Sequence, residues 1–306
     1  MADLLAHSST IIDSGHTDQP VKRVTNELSE IADGPAMVES VSHCVALRAG
    51  DGLVCFDASG VHTGQAVRDA LRGWSPLPVS HLVYTHGHAD HVGGSTFFRD
   101  DGPHVIGHEN VAVRLDRYDY TNNWNLIIND RQFGGVAGEL RLSVGAGNDR
   151  VDVQMAPGAK RFLPNSTLRP DETFSLRHTV TIGDEQMEFR HARGETDDHL
   201  WAWLPHRKAL VTGDFLIWNF PHAGNPQKVQ RCPLEWARAL REMATMGAEL
   251  LLPAHGLPIE GVARIERVLT EVAGALEQLE HDVVAMMKHG RGSDRHPRQA
   301  VPAPAL

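Results

Sequence analysis

The chain has 306 residues, of which 41% are hydrophobic and 22% charged, and this composition is typical of a folded globular protein with a sizeable core. Its 29 basic and 39 acidic residues give a formal net charge of −10, so we expect no extended surface for nucleic acid or anionic membranes. No stretch reaches the roughly 20 apolar residues of a membrane span, and the first residues lack the pattern of a secretory signal. Three widely spaced cysteines predict no disulfide framework. We therefore expect a cytoplasmic protein.

The first half of the chain alternates predicted strands with a helix. Residues 1–40 are polar and weakly patterned, and we interpret them as an N-terminal arm or a peripheral turn of helix around residues 26–31. Residues 41–257 are expected to form the main domain. In it, alternating apolar residues on both sides of Gly50-Asp51-Gly52 predict a hairpin. Helical spacing of Val67, Leu71 and Trp74 predicts a helix, and the apolar run 79–84 predicts a strand.

The same order recurs in the second half. The predicted elements are a hairpin over 179–190, strands over 200–204 and 209–212, a helix over 234–246 and a strand over 249–252. Two similar halves of this kind indicate an α/β fold in which two sheets pack face to face with helices outside.

Two regions stand apart from this pattern. Residues 119–170 are rich in Asn, Gly, Pro and Arg, and we expect a long irregular insertion that lies near the functional site. Within residues 258–289 apolar side chains recur three and four positions apart, which predicts a long helix: Val262, Ile265, Leu269, Val272, Leu276, Leu279 and Val283. This helix either packs on its own domain or pairs with a second chain as a dimerisation element. Residues 290–306 have the composition of a disordered tail.

Four side chains of the metal-binding type follow the predicted strand 79–84 within six residues: His86, His88, Asp90 and His91. His86 and His88 point to the same side of an extended turn, because side chains alternate along an extended chain. Asp90 and His91 come at the start of the next helix, where they can face a second point nearby. The segment therefore predicts a site for two metal ions.

This motif resembles the signature of the metallo-β-lactamase superfamily, whose fold is a four-layer αββα sandwich that binds one or two metals at the edge of its sheets. The resemblance implies further ligands from three later loops, at Glu195, Asp214 and His255. Glu195 stands where the superfamily commonly has histidine, as in the alkylsulfatase-related branch, which the chain also resembles after Asp214 and in its C-terminal helix. His191 and His199 are the alternative third ligands.

The resemblance implies a division of the ligands between two metals. His86, His88 and Glu195 hold one metal, Asp90, His91 and His255 hold the other, and Asp214 lies between them. We expect two divalent ions, with Zn²⁺ as the first choice and Mn²⁺ or Fe as alternatives.

The charge balance of such a site bears on its substrate. Three carboxylates and one bridging hydroxide balance the four positive charges of two divalent ions, so an anionic substrate would need protein cations. The apolar, aromatic segment after Asp214 contains Lys228 and Arg231, a composition typical of a pocket for an amphiphilic anion, although an ordinary solvated loop is the alternative. We expect Lys228 and Arg231 to stabilise negative charge and, with Asp90 and Asp214, to take part in catalysis.

The predicted function is a dinuclear metal-dependent hydrolase that uses a metal-bridging hydroxide on a sulfate ester of an alcohol. Another ester-type substrate is the first alternative, namely a phosphodiester, lactone, thioester or β-lactam. An iron-dependent redox enzyme and a metal-binding protein without turnover are alternatives from other classes. The expected partner is a small amphiphilic, anionic ester, and a homodimer through the C-terminal helix is compatible with the heptad pattern.

Overall fold

A computed structural model describes residues 3–16, 21–32, 34–133, 141–144, 151–154, 161–223 and 230–289. The strands, in chain order, are β1 (Leu28–Glu30), β2 (Ala36–Val38), β3 (Cys44–Ala49), β4 (Gly52–Phe56), β5 (Val79–Val83), β6 (His104–His108), β7 (Arg141–Val144), β8 (Val151–Gln154), β9 (Glu172–Phe174), β10 (Arg177–Ile182), β11 (Glu185–His191), β12 (Leu200–Leu204), β13 (Ala209–Gly213), β14 (Leu250–Pro253) and β15 (Ile259–Glu260). The helices are α1 (Leu4–Ser14), α2 (Gly64–Trp74), α3 (Ala89–Val92), α4 (Glu109–Tyr120), α5 (Asn122–Phe133), α6 (Pro233–Ala244) and α7 (Val262–Lys288). Short 3₁₀ segments cover Gly93–Asp101 and Pro205–Arg207.

Two sheets carry the strands of the two halves. Within the described residues, one sheet has the order β1-β2-β3-β4-β5-β6-β9 and the other the order β10-β11-β12-β13-β14-β15. In each sheet a pair of parallel strands, β4 with β5 and β13 with β14, lies next to antiparallel hairpins. The predicted hairpins, the helix after residue 63 and the strand after residue 79 are confirmed.

The core is layered as expected for two covered sheets. Leu47 and Phe56 of the first sheet pack against Phe189 and Leu252 of the second in one buried cluster. A second cluster joins the outer face of the second sheet to α6 and α7, and a third joins the outer face of the first sheet to α2 and α4. Because both faces of each sheet are covered, β4, β12 and β13 are buried along their whole length. The predicted αββα sandwich is confirmed.

The N-terminal segment differs from its prediction. The turn of helix expected around residues 26–31 is wrong, because Leu28–Glu30 is a strand that pairs antiparallel with Ala36–Val38 at the edge of the first sheet. The main helix of this segment is α1, and it begins at a cap in which Asp3 accepts a hydrogen bond from the Ala6 N–H. Sheet pairing therefore overrides the weak local pattern around residue 28.

The described parts of the expected irregular insertion contain regular secondary structure. Residues 119–133 belong to α4 and α5, and β7 pairs with β8 as an antiparallel hairpin. An irregular segment was therefore the wrong interpretation for these residues. The predicted tail 290–306 lies outside the described residues.

The C-terminal helix α7 has the predicted length and position. Ile265, Leu269, Val272 and Leu276 are buried against their own domain, in the cluster that includes Trp236 of α6. These contacts support packing on the same chain for this part of the heptad stripe. Pairing with a second chain stays a prediction. No helix in the described ranges is both long and apolar enough to cross a membrane.

Candidate metal centre

The seven predicted ligands come together at one end of the sandwich, beyond the carboxyl ends of β5, β13 and β14. His86 and His88 follow β5, and α3 then carries Asp90 and His91. Asp214 directly follows β13 and His255 follows β14, while Glu195 lies in the loop between β11 and β12. Parallel strands end at the same edge of a sheet, so loops that are distant in sequence meet at this edge.

The first ligand group consists of His86, His88, Glu195 and Asp214. Oε2 of Glu195 lies 3.7 Å from His86 Nε2 and 3.6 Å from His88 Nδ1. Oδ2 of Asp214 lies 3.9 Å from His86 Nε2. These four side chains therefore present their ligand atoms to a common point.

The second ligand group consists of Asp90, His91 and His255. His255 Nε2 lies 3.4 Å from Asp90 Oδ2, and His91 Nε2 lies 3.6 Å from the same oxygen. Oδ1 of Asp214 lies 3.4 Å from His255 Nε2 and 3.5 Å from His91 Nε2. The two carboxylate oxygens of Asp214 thus face different ligand groups.

The geometry fits divalent cations. Ligand atoms within each group lie within 4.8 Å of one another, and four ligands at about 2.1 Å around Zn²⁺ would lie about 3.4 Å apart. Among the described residues, His91 Nε2, Glu195 Oε2 and Asp214 Oδ1 are buried polar atoms with no hydrogen-bond partner. Buried atoms of this kind are unfavourable unless they are compensated, and a shared cation in each group would compensate all three.

Charges around the site keep Asp214 ionised. Burial alone would raise its pKa, but His255 and His91 hold the pKa of Asp214 well below its usual range. A deprotonated carboxylate is the form that binds a metal ion.

Asp57, at the end of β4, orients His91. The Nδ1–H of His91 donates to Asp57 Oδ2 at 2.8 Å, which directs Nε2 of the ring into the second ligand group. Thr85 holds Asp57 in turn, because its backbone N–H and its hydroxyl donate to the two carboxylate oxygens at 2.8 and 2.7 Å. Burial raises the pKa of Asp57, whereas His91 and Thr85 lower it. A carboxylate behind a ligating histidine is a common outer contact of metal sites.

The two alternative third ligands are used elsewhere. The Asp214 N–H donates to His199 Nε2 at 3.1 Å, and burial lowers the pKa of His199 to about 3, so this ring is a neutral acceptor that positions the Asp214 backbone. His191 stacks on His108 at 3.8 Å, and its Nδ1 donates to the carbonyl oxygen of His199 at 2.8 Å. The structure therefore brings Glu195, and neither histidine, into the first ligand group.

Of the two cationic residues predicted to stabilise negative charge, Arg231 and Lys228, the structure describes only Arg231. Arg231 is buried and forms an ion pair with Glu195, with Nη2 2.6 Å from Oε1. No local pattern in the sequence indicates this contact, which directs the guanidinium at the carboxylate of a predicted ligand. Lys228 lies outside the described residues.

A buried ion pair that the sequence analysis did not predict lies where two ligand-bearing loops meet, namely the loop after β5 and the loop between β11 and β12. Asp198 is fully buried, and Arg114 of α4 donates to both of its carboxylate oxygens, at 2.8 and 2.9 Å. The same carboxylate accepts the Gly87 N–H at 2.9 Å, between the ligands His86 and His88. A Cβ on Gly87 would lie 2.9 Å from Asp198 Oδ2, so glycine is needed there. No local pattern in the sequence identifies Asp198 and Arg114 as partners.

Comparison with known proteins agrees with this geometry. The chain is 24% identical over 259 residues to a linear primary-alkylsulfatase of Pseudomonas sp. (strain ATCC 19151), a match that covers 81% of this chain and 48% of the relative. It is 27% identical over 239 residues to the probable metallo-hydrolase YqjP of Bacillus subtilis (strain 168), which covers 73% of this chain and 70% of the relative.

Solved structures share the fold. The sec-alkylsulfatase Pisa1 of Pseudomonas sp. has a TM-score of 0.69 at 17% identity, and a double mutant of PisA1 has a TM-score of 0.74, also at 17% identity; each covers 87% of this chain and 44% of that chain. A metallo-beta-lactamase from Pontibacter korlensis has a TM-score of 0.53 at 19% identity and covers 79% of this chain and 98% of that chain. The chain spans about half the length of the alkylsulfatases that it matches.

The alkylsulfatase matches support the predicted relation to that branch. The family model of the metallo-beta-lactamase superfamily matches residues 37–255, which contain every described ligand of both groups. On these grounds the chain belongs to the metallo-beta-lactamase superfamily.

Proposed function

We propose that the chain is a dinuclear metal-dependent hydrolase that cleaves a sulfate ester of an alcohol, with water as the second substrate and the alcohol and hydrogen sulfate as products. The observation that carries the dinuclear part is the placement of Asp214, whose two oxygens face the two ligand groups separately. Two divalent ions, when bound there, would polarise the ester and lower the pKa of water.

The protein side chains have distinct parts in this proposal. His86, His88 and Glu195 hold one ion, and Asp90, His91 and His255 hold the other. Asp57 and His199 fix the directions of His91 and Asp214 before any substrate arrives. Because these side chains are already held in place, they need no rearrangement when the reaction begins. Nitrogen and oxygen donors in groups of three and four suit Zn²⁺, which we propose as the native metal.

Similarity to a linear primary-alkylsulfatase supports the substrate class. The indole ring of Trp218 lies against the loop that carries His255, because its N–H donates to the carbonyl oxygen of Leu257 at 2.8 Å, and an aromatic ring near the second ligand group would suit an amphiphilic ester. The half-exposed side chain of Phe220 adds apolar surface two residues further on. An apolar border beside a charged centre suits a substrate that has an alkyl group and a sulfate group.

Metal analysis and a substrate panel test the proposal. We expect about two metal ions per chain and the highest kcat/KM for an alkyl sulfate, in a panel that also contains a phosphodiester, a lactone, a thioester and a β-lactam. Asp214→Asn should lower both metal content and turnover, whereas Asp116→Asn, on the exposed face of α4, should change neither. Two bound metals with turnover of another ester class would refute the sulfatase assignment. Oxidation or reduction chemistry without hydrolysis would refute the hydrolase assignment.

A further inference from the structure

Arg231 makes two contacts with one metal ligand. Its Nη2 lies 2.6 Å from Glu195 Oε1, and its Nη1 donates to the backbone carbonyl oxygen of Glu195. The Arg231 side chain is only 5% exposed and the Glu195 side chain 14% exposed. Solvent therefore screens this pair weakly, in contrast to the surface ion pairs of the chain.

Main-chain contacts hold Arg231 in place. The N–H of the next residue, Cys232, donates to the carbonyl oxygen of Gly194 at 3.0 Å, directly before Glu195. The Trp236 N–H donates to the Cys232 carbonyl oxygen at 2.9 Å and so begins α6. The start of a packed helix thus presents the guanidinium to the ligand loop.

The two carboxylate oxygens of Glu195 have different contacts. Oε1 is occupied by Arg231, whereas Oε2 is buried, has no hydrogen-bond partner, and lies 3.6 to 3.7 Å from the ring nitrogens of His88 and His86. Arg231 also compensates the negative charge of Glu195. One guanidinium nitrogen binds the Glu195 backbone and the other binds Oε1, so the planar guanidinium restricts rotation of the carboxylate.

We propose that Arg231 is a positioning residue that keeps Glu195 a single-oxygen ligand and thereby sets the affinity of the first ligand group for its metal. This inference rests on the proposed dinuclear site. It assigns Arg231 to the metal ligand and not to direct contact with substrate.

Metal binding in the absence of substrate tests the inference. We expect Arg231→Met to weaken Zn²⁺ binding at one of two positions by about 10- to 100-fold, as loss of an outer contact typically does. Binding at the other position should be unchanged in titration calorimetry and in elemental analysis at buffered free Zn²⁺. Arg231→Lys should give an intermediate loss, because it keeps the charge but not the planar guanidinium. Arg193→Met is the matched control, since Arg193 is exposed and pairs with Glu235.

A double-mutant cycle distinguishes positioning of Glu195 by Arg231 from a general loss of structure around the site. If Arg231 acts through Glu195, Arg231→Met should cause no further loss of Zn²⁺ affinity in a Glu195→Ala background. Unchanged affinity in Arg231→Met, or an equal loss in both backgrounds, would overturn the inference. Should Arg231→Met fail to fold, Arg231→Lys decides, and unchanged affinity in that variant overturns the inference. Absence of metal from the unmodified chain would instead refute the proposed function.

Discussion

Loss of one partner from the ion pair between Arg114 and Asp198 should be one of the most destabilising single changes near the site. Asp198 is fully buried and accepts hydrogen bonds from Arg114 and from the Gly87 N–H. Arg114→Met keeps much of the side-chain volume but leaves the carboxylate without its cation. Removal of one partner of a buried pair costs about 3–5 kcal/mol, and we expect a loss of this size in the free energy of unfolding at pH 7.

The loss of stability in Arg114→Met should also depend on pH, in a direction that follows from the pKa of Asp198. Burial alone would raise the pKa of Asp198, but Arg114 lowers it to about 2 from the ordinary value of 3.8. The corresponding stability, about 2 kcal/mol, is present above pH 4 and is lost as the pH falls towards 2. In Arg114→Met burial dominates and raises the pKa of Asp198, so protonation of the folded state relieves the cost. The difference in stability between the variant and the unmodified chain should therefore shrink as the pH falls from 7 towards 4.

Urea unfolding followed by circular dichroism measures both effects, with m-values compared to check that the transition is the same. Arg169→Met is the control, because Arg169 forms an exposed pair with Asp116 of the same helix α4 and should cost less than about 1 kcal/mol. An Arg114→Met loss no larger than this control, or a loss that does not change between pH 7 and 4, would refute the reasoning.

Three further predictions concern the ligands and their surroundings. Glu195→Ala should lower the metal content measured by elemental analysis, whereas His191→Ala should leave it nearly unchanged; the reverse result would move the third ligand to His191. Asp57→Asn should weaken Zn²⁺ binding in calorimetry by about 10- to 100-fold through the second ligand group, since His91 loses its carboxylate partner, and equal affinity would show that Asp57 is dispensable. Gly213→Ala should lower the free energy of unfolding by roughly 1–3 kcal/mol in urea, because Gly213 has φ +52° and its Cβ would lie 2.7 Å from the Cβ of Thr85; a neutral result would mean that the backbone relaxes there.

Much of the fold could be predicted because its signals are local. The hairpin β3–β4 follows from alternating apolar residues around Gly50, and α2 follows from the spacing of Val67 and Leu71. Strand β1 could not be predicted in this way, because three residues carry little periodicity and their pairing with β2 is a tertiary contact. The helices α4 and α5 were missed where polar composition obscured the pattern around residue 120.

The candidate site likewise combines features that local sequence predicts with features that depend on tertiary contacts. His86, His88, Asp90 and His91 are close in sequence, so a strand followed by a short helix is enough to bring them together. The choice between Glu195 and His191 is different, because it depends on the stacking of His191 on His108 and on the pairing of Glu195 with Arg231. These partners lie 83 and 36 positions away along the chain, and no local pattern identifies them.

The sequence by itself determined the kind of protein: the αββα fold class, the motif of ligand-type residues and the order of the loops that complete it. Periodicity and residue type, which act over a few neighbours, predicted the elements and the motif, and the resemblance that this motif carries implied the αββα class and the order of the loops. Only the tertiary structure decided which candidate side chain lies beside His86 and His88, and which oxygen of Glu195 has no hydrogen-bond partner. It also showed that Asp198, paired with Arg114, joins its own loop to the loop of Gly87. Those outcomes depend on burial and on charge pairs between distant segments, which exist only after the two sheets have packed.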